Sequence, residues 1–242
     1  MIREDIYLVS ACGRNDRCMM NYLTIKEIEL PKYTEEEERL NTLTHVIGAV
    51  IAVVILILGL ITAGRHQKEY ALLSCWIYGL SMIILYVVSS VYHGLPPGDA
   101  KRIMRVIDHC TIYLLIAGSY TPILLTAVRP AHPTLAWILF AAEWGIGLLA
   151  AFLTAMDLKK SSRLSMICYI VMGWLVVAAL KPTIEAVSMS GFLWLLAGGI
   201  CYTLGAVLYK LGRKKRYFHA VFHVFTVFGS VLQAVCILKY VL

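Results

Sequence analysis

Long apolar runs separated by short polar connections dominate the chain from residue 44 onward. Seven can be drawn, over 44–64, 70–92, 107–128, 134–156, 164–181, 191–211 and 218–240. Each is close to the roughly 20 residues a helix needs to cross hydrocarbon. Only helices and closed barrels satisfy their own backbone groups in lipid, and runs of this length fit helices. The expected fold class is all-α: a seven-transmembrane helix bundle over 34–242. Residues 1–33 are mixed, carry no sustained period, and are expected to be disordered or loosely structured.

Local signals sharpen the boundaries. Thr34 precedes Glu35, Glu36, Glu37 and Glu38, and Thr34-x-x-Glu37 fits a capping box. A helix starting there is expected to run along the membrane surface before entering the first span. Pro96 and Pro97 end the second helix, because proline cannot continue the hydrogen-bond ladder. The connections are short, so sequential helices should be antiparallel neighbours. Gly198, Gly199 and Gly205 should let the sixth segment approach a partner closely.

Composition agrees with this pattern: 60% of the 242 residues are hydrophobic and 15% are charged. The net charge of +7 is unevenly placed. The even-numbered connections hold Lys101, Arg102 and Arg105, then Lys159, Lys160 and Arg163, then Lys210, Arg213, Lys214, Lys215 and Arg216. The odd ones and the C-terminus hold Arg65, Lys68, Arg129, Lys181 and Lys239. Cytoplasmic connections are the basic ones, so the N-terminus is expected in the cytoplasm and the C-terminus outside. Basic residues confined to short connections imply membrane lipids as partners and no nucleic acid. The first 40 residues lack the apolar core of a cleavable signal, and Met19 or Met20 is a candidate translation start. The cysteines form no CxxC pair, which argues against a disulfide framework.

Candidate chemistry gathers in one layer. Glu38, Asn41 and His45 enter the first helix from the cytoplasm, Ser89 and His93 close the second, Asp108 opens the third, and His219 and His223 open the seventh. Residues four apart lie on one helix face, so His219 and His223 can share a ligand, and Ser89 sits beside His93. Three imidazoles with one position left for water is the pattern of a catalytic zinc. All-nitrogen ligation also suits copper, iron or nickel; zinc is favoured because no thiolate stands at these positions. Asp108 would then orient water or act as general base, with Ser89 hydrogen-bonding nearby.

Plainer readings stand beside these. His93 could reach the interface, Asp108 could pair with Arg105 one turn earlier, and Asn41 could join helices. His66 and His132 read as surface residues, and His109 as a packing residue facing away from Asp108. Glu143 lies in the middle of the fourth segment, where a carboxylate is costly; pairing within the bundle is slightly favoured over a role in substrate or proton passage.

Glu38-x-x-Asn41-x-x-x-His45, Ser89-x-x-x-His93 with Asp108, and His219-x-x-x-His223 resemble the three motifs of the hemolysin III family. This is the bacterial branch of the progestin and adiponectin receptor superfamily. The stretch Tyr113–Pro122 matches in style, and the resemblance covers about residues 34–240. It implies a multi-pass protein of the bacterial cell membrane, with zinc held by His93, His219 and His223. It also implies Asp108 linked to the metal through water, with Ser89 close by. Receptor relatives are associated with ceramide-type amide hydrolysis, and the layout is similar to that of alkaline ceramidases. Bacterial members carry the hemolysin name, and a role in membrane energetics and lipid fluidity has been proposed for them. Gln233 stands where bacterial members often have histidine.

The leading expectation is a zinc-dependent hydrolase of membrane lipid amides or esters. The alternatives are a non-catalytic regulator or sensor of membrane lipid state, and a pore-forming hemolysin. The last is opposed by the absence of a secretory signal.

Overall fold

The computed structural model describes residues 25–212 and 215–242; Met19, Met20, Cys12, Cys18, Arg213 and Lys214 lie outside the described residues. The described residues form seven α-helices: α1 Glu35–His66, α2 Ala71–Gly94, α3 Asp99–Pro122, α4 Pro133–Met156, α5 Leu158–Gly173, α6 Leu180–Gly212 and α7 Phe218–Cys236. Thr34 caps α1 as its sequence predicts, its hydroxyl accepting from the Glu37 N–H while the Glu37 carboxylate accepts from the Thr34 N–H. From there α1 runs to His66 as one helix. The expected turn between a surface segment and a span does not occur, since no Pro or Gly interrupts its first turns.

Six helical stretches of the described residues are long and apolar enough to cross a membrane. One of them, Leu158–Leu211, contains both the fifth and the sixth predicted segments. The polar connection expected between them is itself helical. A 3-10 turn, Leu175–Ala179, follows α5, and α6 starts at Leu180. The sharp bend falls at Ser188, inside the connection the sequence predicts, where the backbone is left-handed (φ 62°). The Ser188 side chain accepts from the Gly191 N–H at 3.4 Å and so caps the second half of α6.

Packing follows sequence order. α1 lies on α2 and α7, α2 on α3, α3 on α4 and α5, and α6 on α7. The most enclosed helix is α3: 78% of its apolar window is buried, against 33% for α1. The buried face of α1 reads Glu37, Asn41, His45, Gly48, Ala52, Leu56, Gly59 and Ala63, in repeated steps of four, four and three. Its outer face carries exposed Val50, Val54, Ile57 and Ile61, as a lipid-facing surface requires. Gly198 permits the contact of α6 with α7, since a Cβ there would stand 2.7 Å from the Gln233 side chain. Gly199 has no neighbour within 4 Å of that position, so only one of the pair is needed for close approach.

Polar contacts sort the connections into two ends. At one end Arg129 pairs with Glu69 at 2.5 Å, His132 approaches Glu185 at 3.6 Å, and Lys68 donates to the Val241 carbonyl. At the other end Glu36 meets Arg216, Glu37 accepts from the Tyr217 N–H, and Lys159 pairs with Glu29. The five described cysteines are free.

Candidate metal centre

The second end holds the polar layer. His93 at the close of α2, and His219 and His223 in the first turns of α7, present ring nitrogens that all lie within 4.8 Å of one another. All three are buried, His93 and His223 at 2% exposure and His219 at 8%. His93 therefore does not reach for the interface. The Nε2 atoms of His93 and His219 are 3.3 Å apart. Two ligands of a tetrahedral zinc, each about 2.0–2.1 Å from the ion, would stand about 3.3–3.4 Å apart. The donor set and the spacing fit such an ion.

The outer nitrogens are already engaged. Glu38 Oε2 lies 2.6 Å from His93 Nδ1, which places the proton on Nδ1 and turns Nε2 inward with its lone pair free. Asn41 Nδ2 also approaches that Nδ1, at 3.4 Å. A nitrogen that donates to Glu38 cannot accept from Asn41, so the shorter contact is the bond. The other oxygen of Glu38 pairs with Lys101 at 2.8 Å, and Lys101 donates to the carbonyls of His93 and Leu95. His223 Nδ1 donates to the Asn41 carbonyl at 3.3 Å, again leaving Nε2 free. His45 stacks on His223 with ring centroids 3.7 Å apart, and neither of its ring nitrogens has a hydrogen-bond partner among the described residues. The motif of α1 thus serves as a scaffold behind the histidines.

In front of them lies a cavity of about 150 Å³. His219, His223, His45, Ser89 and Asp108 share its wall, with His93 set behind. It extends past Tyr202 to Tyr120, Trp174 and Gln233, and its lining is mostly apolar and aromatic. The cavity side of α3 runs from Arg105 to Tyr120, about 22 Å of helix. Ser89 is buried at 1% exposure. Asp108 does not pair with Arg105, which donates instead to the Glu29 carbonyl. The nearest ionisable partner of Asp108 is His109, 3.8 Å away. His109 is on the cavity wall too, held by the Arg105 carbonyl and Tyr209. The 100° between adjacent helix positions does not separate them, because their side chains swing toward the same opening.

Two neighbours were hidden from sequence reasoning. Tyr33, just before the α1 cap, stacks on His219 with centroids 5.0 Å apart. Burial pushes its hydroxyl well above the ordinary tyrosine value, so the ring covers the site as a neutral group. Lys101 reaches Glu38 across 63 residues of chain, with no local pattern to announce it. Glu143, far from this layer in α4, is fully buried, and neither carboxylate oxygen has a hydrogen-bond partner. The pairing favoured for it from sequence is absent among the described residues.

Comparison with known proteins covers the stretch that holds these residues. A family model described as Haemolysin-III related matches residues 33–234. The chain belongs to that family. Hemolysin-3 of Bacillus cereus is 38% identical over 220 residues, covering 91% of this chain and 98% of the relative. The hemolysin-3 homolog of Bacillus subtilis is 36% identical over 86% of this chain and 96% of its own length. The human monocyte to macrophage differentiation factor, a member of the progestin and adiponectin receptor superfamily, is 28% identical over 86% of each chain. As a Haemolysin-III related protein with six long apolar helical stretches, the chain is a multi-pass membrane protein, consistent with a bacterial cell membrane.

Proposed function

We propose that the protein is a zinc-dependent hydrolase of membrane lipid amides or esters. In this reading the helices cross the bilayer seven times and the N-terminus lies in the cytoplasm. The observation that carries the reaction is the convergence of three buried imidazoles beside an apolar cavity that also holds Ser89 and Asp108. The topology is supported by length. Leu158–Leu211 would extend about 80 Å if straight, more than twice the roughly 30 Å hydrocarbon core, yet it bends at Leu175–Ala179 and Ser188. It is also supported by the sorting of odd and even connections to opposite ends, with the basic ones beside the start of α1.

His93, His219 and His223 would hold the ion. When bound, zinc supplies Lewis acidity toward a carbonyl and makes water a competent nucleophile near neutral pH. The chain supplies the remainder. The apolar cavity takes the hydrocarbon tail and brings the amide or ester carbonyl to the histidine end. Asp108 accepts a proton from the attacking water and returns it to the leaving amine or alkoxide. The Ser89 hydroxyl donates to the carbonyl oxygen as negative charge develops there. Tyr33 closes the opening above His219 and limits bulk water.

The test is lipid turnover by zinc-loaded protein in bilayers of mixed lipid, followed by mass spectrometry of released acyl chains. Turnover should vanish in His219→Ala and fall by about 100-fold or more in Asp108→Asn. Turnover unaffected by His219→Ala would contradict the proposal. A zinc-stabilised lipid sensor, the alternative class, would retain its function in Asp108→Asn and Ser89→Ala.

A further inference from the structure

The buried face of α4 reads Ala136, Leu139, Glu143, Gly147, Ala150 and Thr154. Five of these are apolar or small, or hydrogen-bonded in the case of Thr154. Glu143 is the exception: it is wholly buried, and among the described residues both its oxygens lack a partner. One turn before it, Leu139 packs in a cluster with Tyr120, Leu124 and Ala179. One turn after it, a Cβ on Gly147 would meet Met172 at 3.1 Å, beside the cluster of Tyr113, Ala117, Ala150 and Met172. Among the described residues no Lys, Arg or His pairs with Glu143. The titratable side chains of the two clusters are Tyr113 and Tyr120 on α3 and Cys168 and Tyr169 on α5, with Tyr120 within electrostatic reach of Glu143. The three tyrosine hydroxyls have other partners: Tyr113 meets Thr154, Tyr120 donates to the Gly173 carbonyl, and Tyr169 donates to the His109 carbonyl.

An ionised carboxylate buried among apolar side chains, with no counter-charge beside it among the described residues, would lose far more by desolvation than it gains. The neutral acid avoids this cost. Both helices that face α4 here are also irregular. α3 passes through Pro122 into a π turn at Ile123–Val128, and α5 loosens into the 3-10 turn at Leu175–Ala179. Such breaks lack part of the regular ladder, so they are places where the seam can open to water without unwinding a whole helix. Tyr120 and Trp174, which flank this seam, also line the deep end of the cavity.

We propose that Glu143 is a proton-binding site within the membrane-spanning part of the bundle, holding a proton at neutral pH and exchanging it through the seam between α3 and α5. The site is distinct from the histidine layer, and its test does not involve turnover or metal. Infrared difference spectroscopy compares the full chain with Glu143→Gln in lipid, folding being checked by size exclusion and circular dichroism. At neutral pH the wild type should show a carbonyl stretch of a neutral carboxylic acid that Glu143→Gln lacks. That band should shift in D2O under folding conditions. If Glu143→Gln does not fold, Glu143→Asp serves instead, and the band should move rather than persist unchanged. Loss of ionised-carboxylate bands instead, an unmoved band in Glu143→Asp, or a band that never exchanges with D2O would each overturn the proposal.

Discussion

Two carboxyl groups inside the bundle, half-buried Glu38 and wholly buried Glu143, show opposite solutions to one problem. Glu38 sits where α1 meets α2 and gives each oxygen a basic partner, His93 and Lys101, at 2.6 and 2.8 Å. Glu143 sits where α3, α4 and α5 meet and has none. The first group is fixed by its charge, and its energy depends on both partners staying in place. The second is tolerated by giving up its charge. The difference separates a scaffold that orients a neighbouring ring from a group free to gain and lose a proton.

The comparison breaks most visibly at Glu38. Removing one member of a buried charged pair strands the other, and Lys101 is nearly inaccessible. Glu38→Ala should destabilise the protein by about 3 kcal/mol in denaturant or thermal unfolding. It should also weaken metal binding about 10- to 100-fold, because His93 loses the partner that sets its tautomer. At Glu143 the sign reverses. Glu143→Leu should stabilise by about 1–2 kcal/mol, since an unpartnered buried polar group is removed; a clear fall in melting temperature would mean that Glu143 has a partner.

Smaller effects probe the approach to the site. Thr34→Ala removes the cap that starts α1 and should cost about 1 kcal/mol, with Tyr33 losing its fixed position over His219. Glu29 lies outside the spans, and its ion pair with exposed Lys159 holds its carboxyl below the ordinary value. Its contribution is therefore complete above the ordinary carboxylate range and fades as pH falls through the lowered value. Because both groups are exposed, Glu29→Gln should leave the melting temperature unchanged within error at neutral pH.

The bundle and the histidine layer are legible in the sequence for physical reasons. Apolar runs of span length admit few alternatives in lipid, and helical spacing puts Ser89 with His93 and His219 with His223. Charge asymmetry predicts which ends of the helices gather, and Arg216 with Glu36 illustrates it. What the sequence does not show is nonlocal or irregular. The pairing of Glu38 with Lys101 depends on how the start of α3 is placed against α1, and the stacking of Tyr33 on His219 depends on where the chain enters α1. The bend at Ser188 follows no proline or glycine rule, although it falls inside the connection drawn between the fifth and sixth segments. Asp108 and His109 share an opening because rotamers, as well as Cα directions, decide what a side chain reaches.

The central claim is that His93, His219 and His223 hold a metal ion. Its most direct test is elemental mass spectrometry on detergent-purified protein, wild type beside the His219→Ala/His223→Ala double variant, both confirmed as folded. The account predicts about one zinc per wild-type chain and none in the variant. A folded wild type that takes up no stoichiometric metal even when zinc is supplied would contradict it and leave the three imidazoles as packing groups.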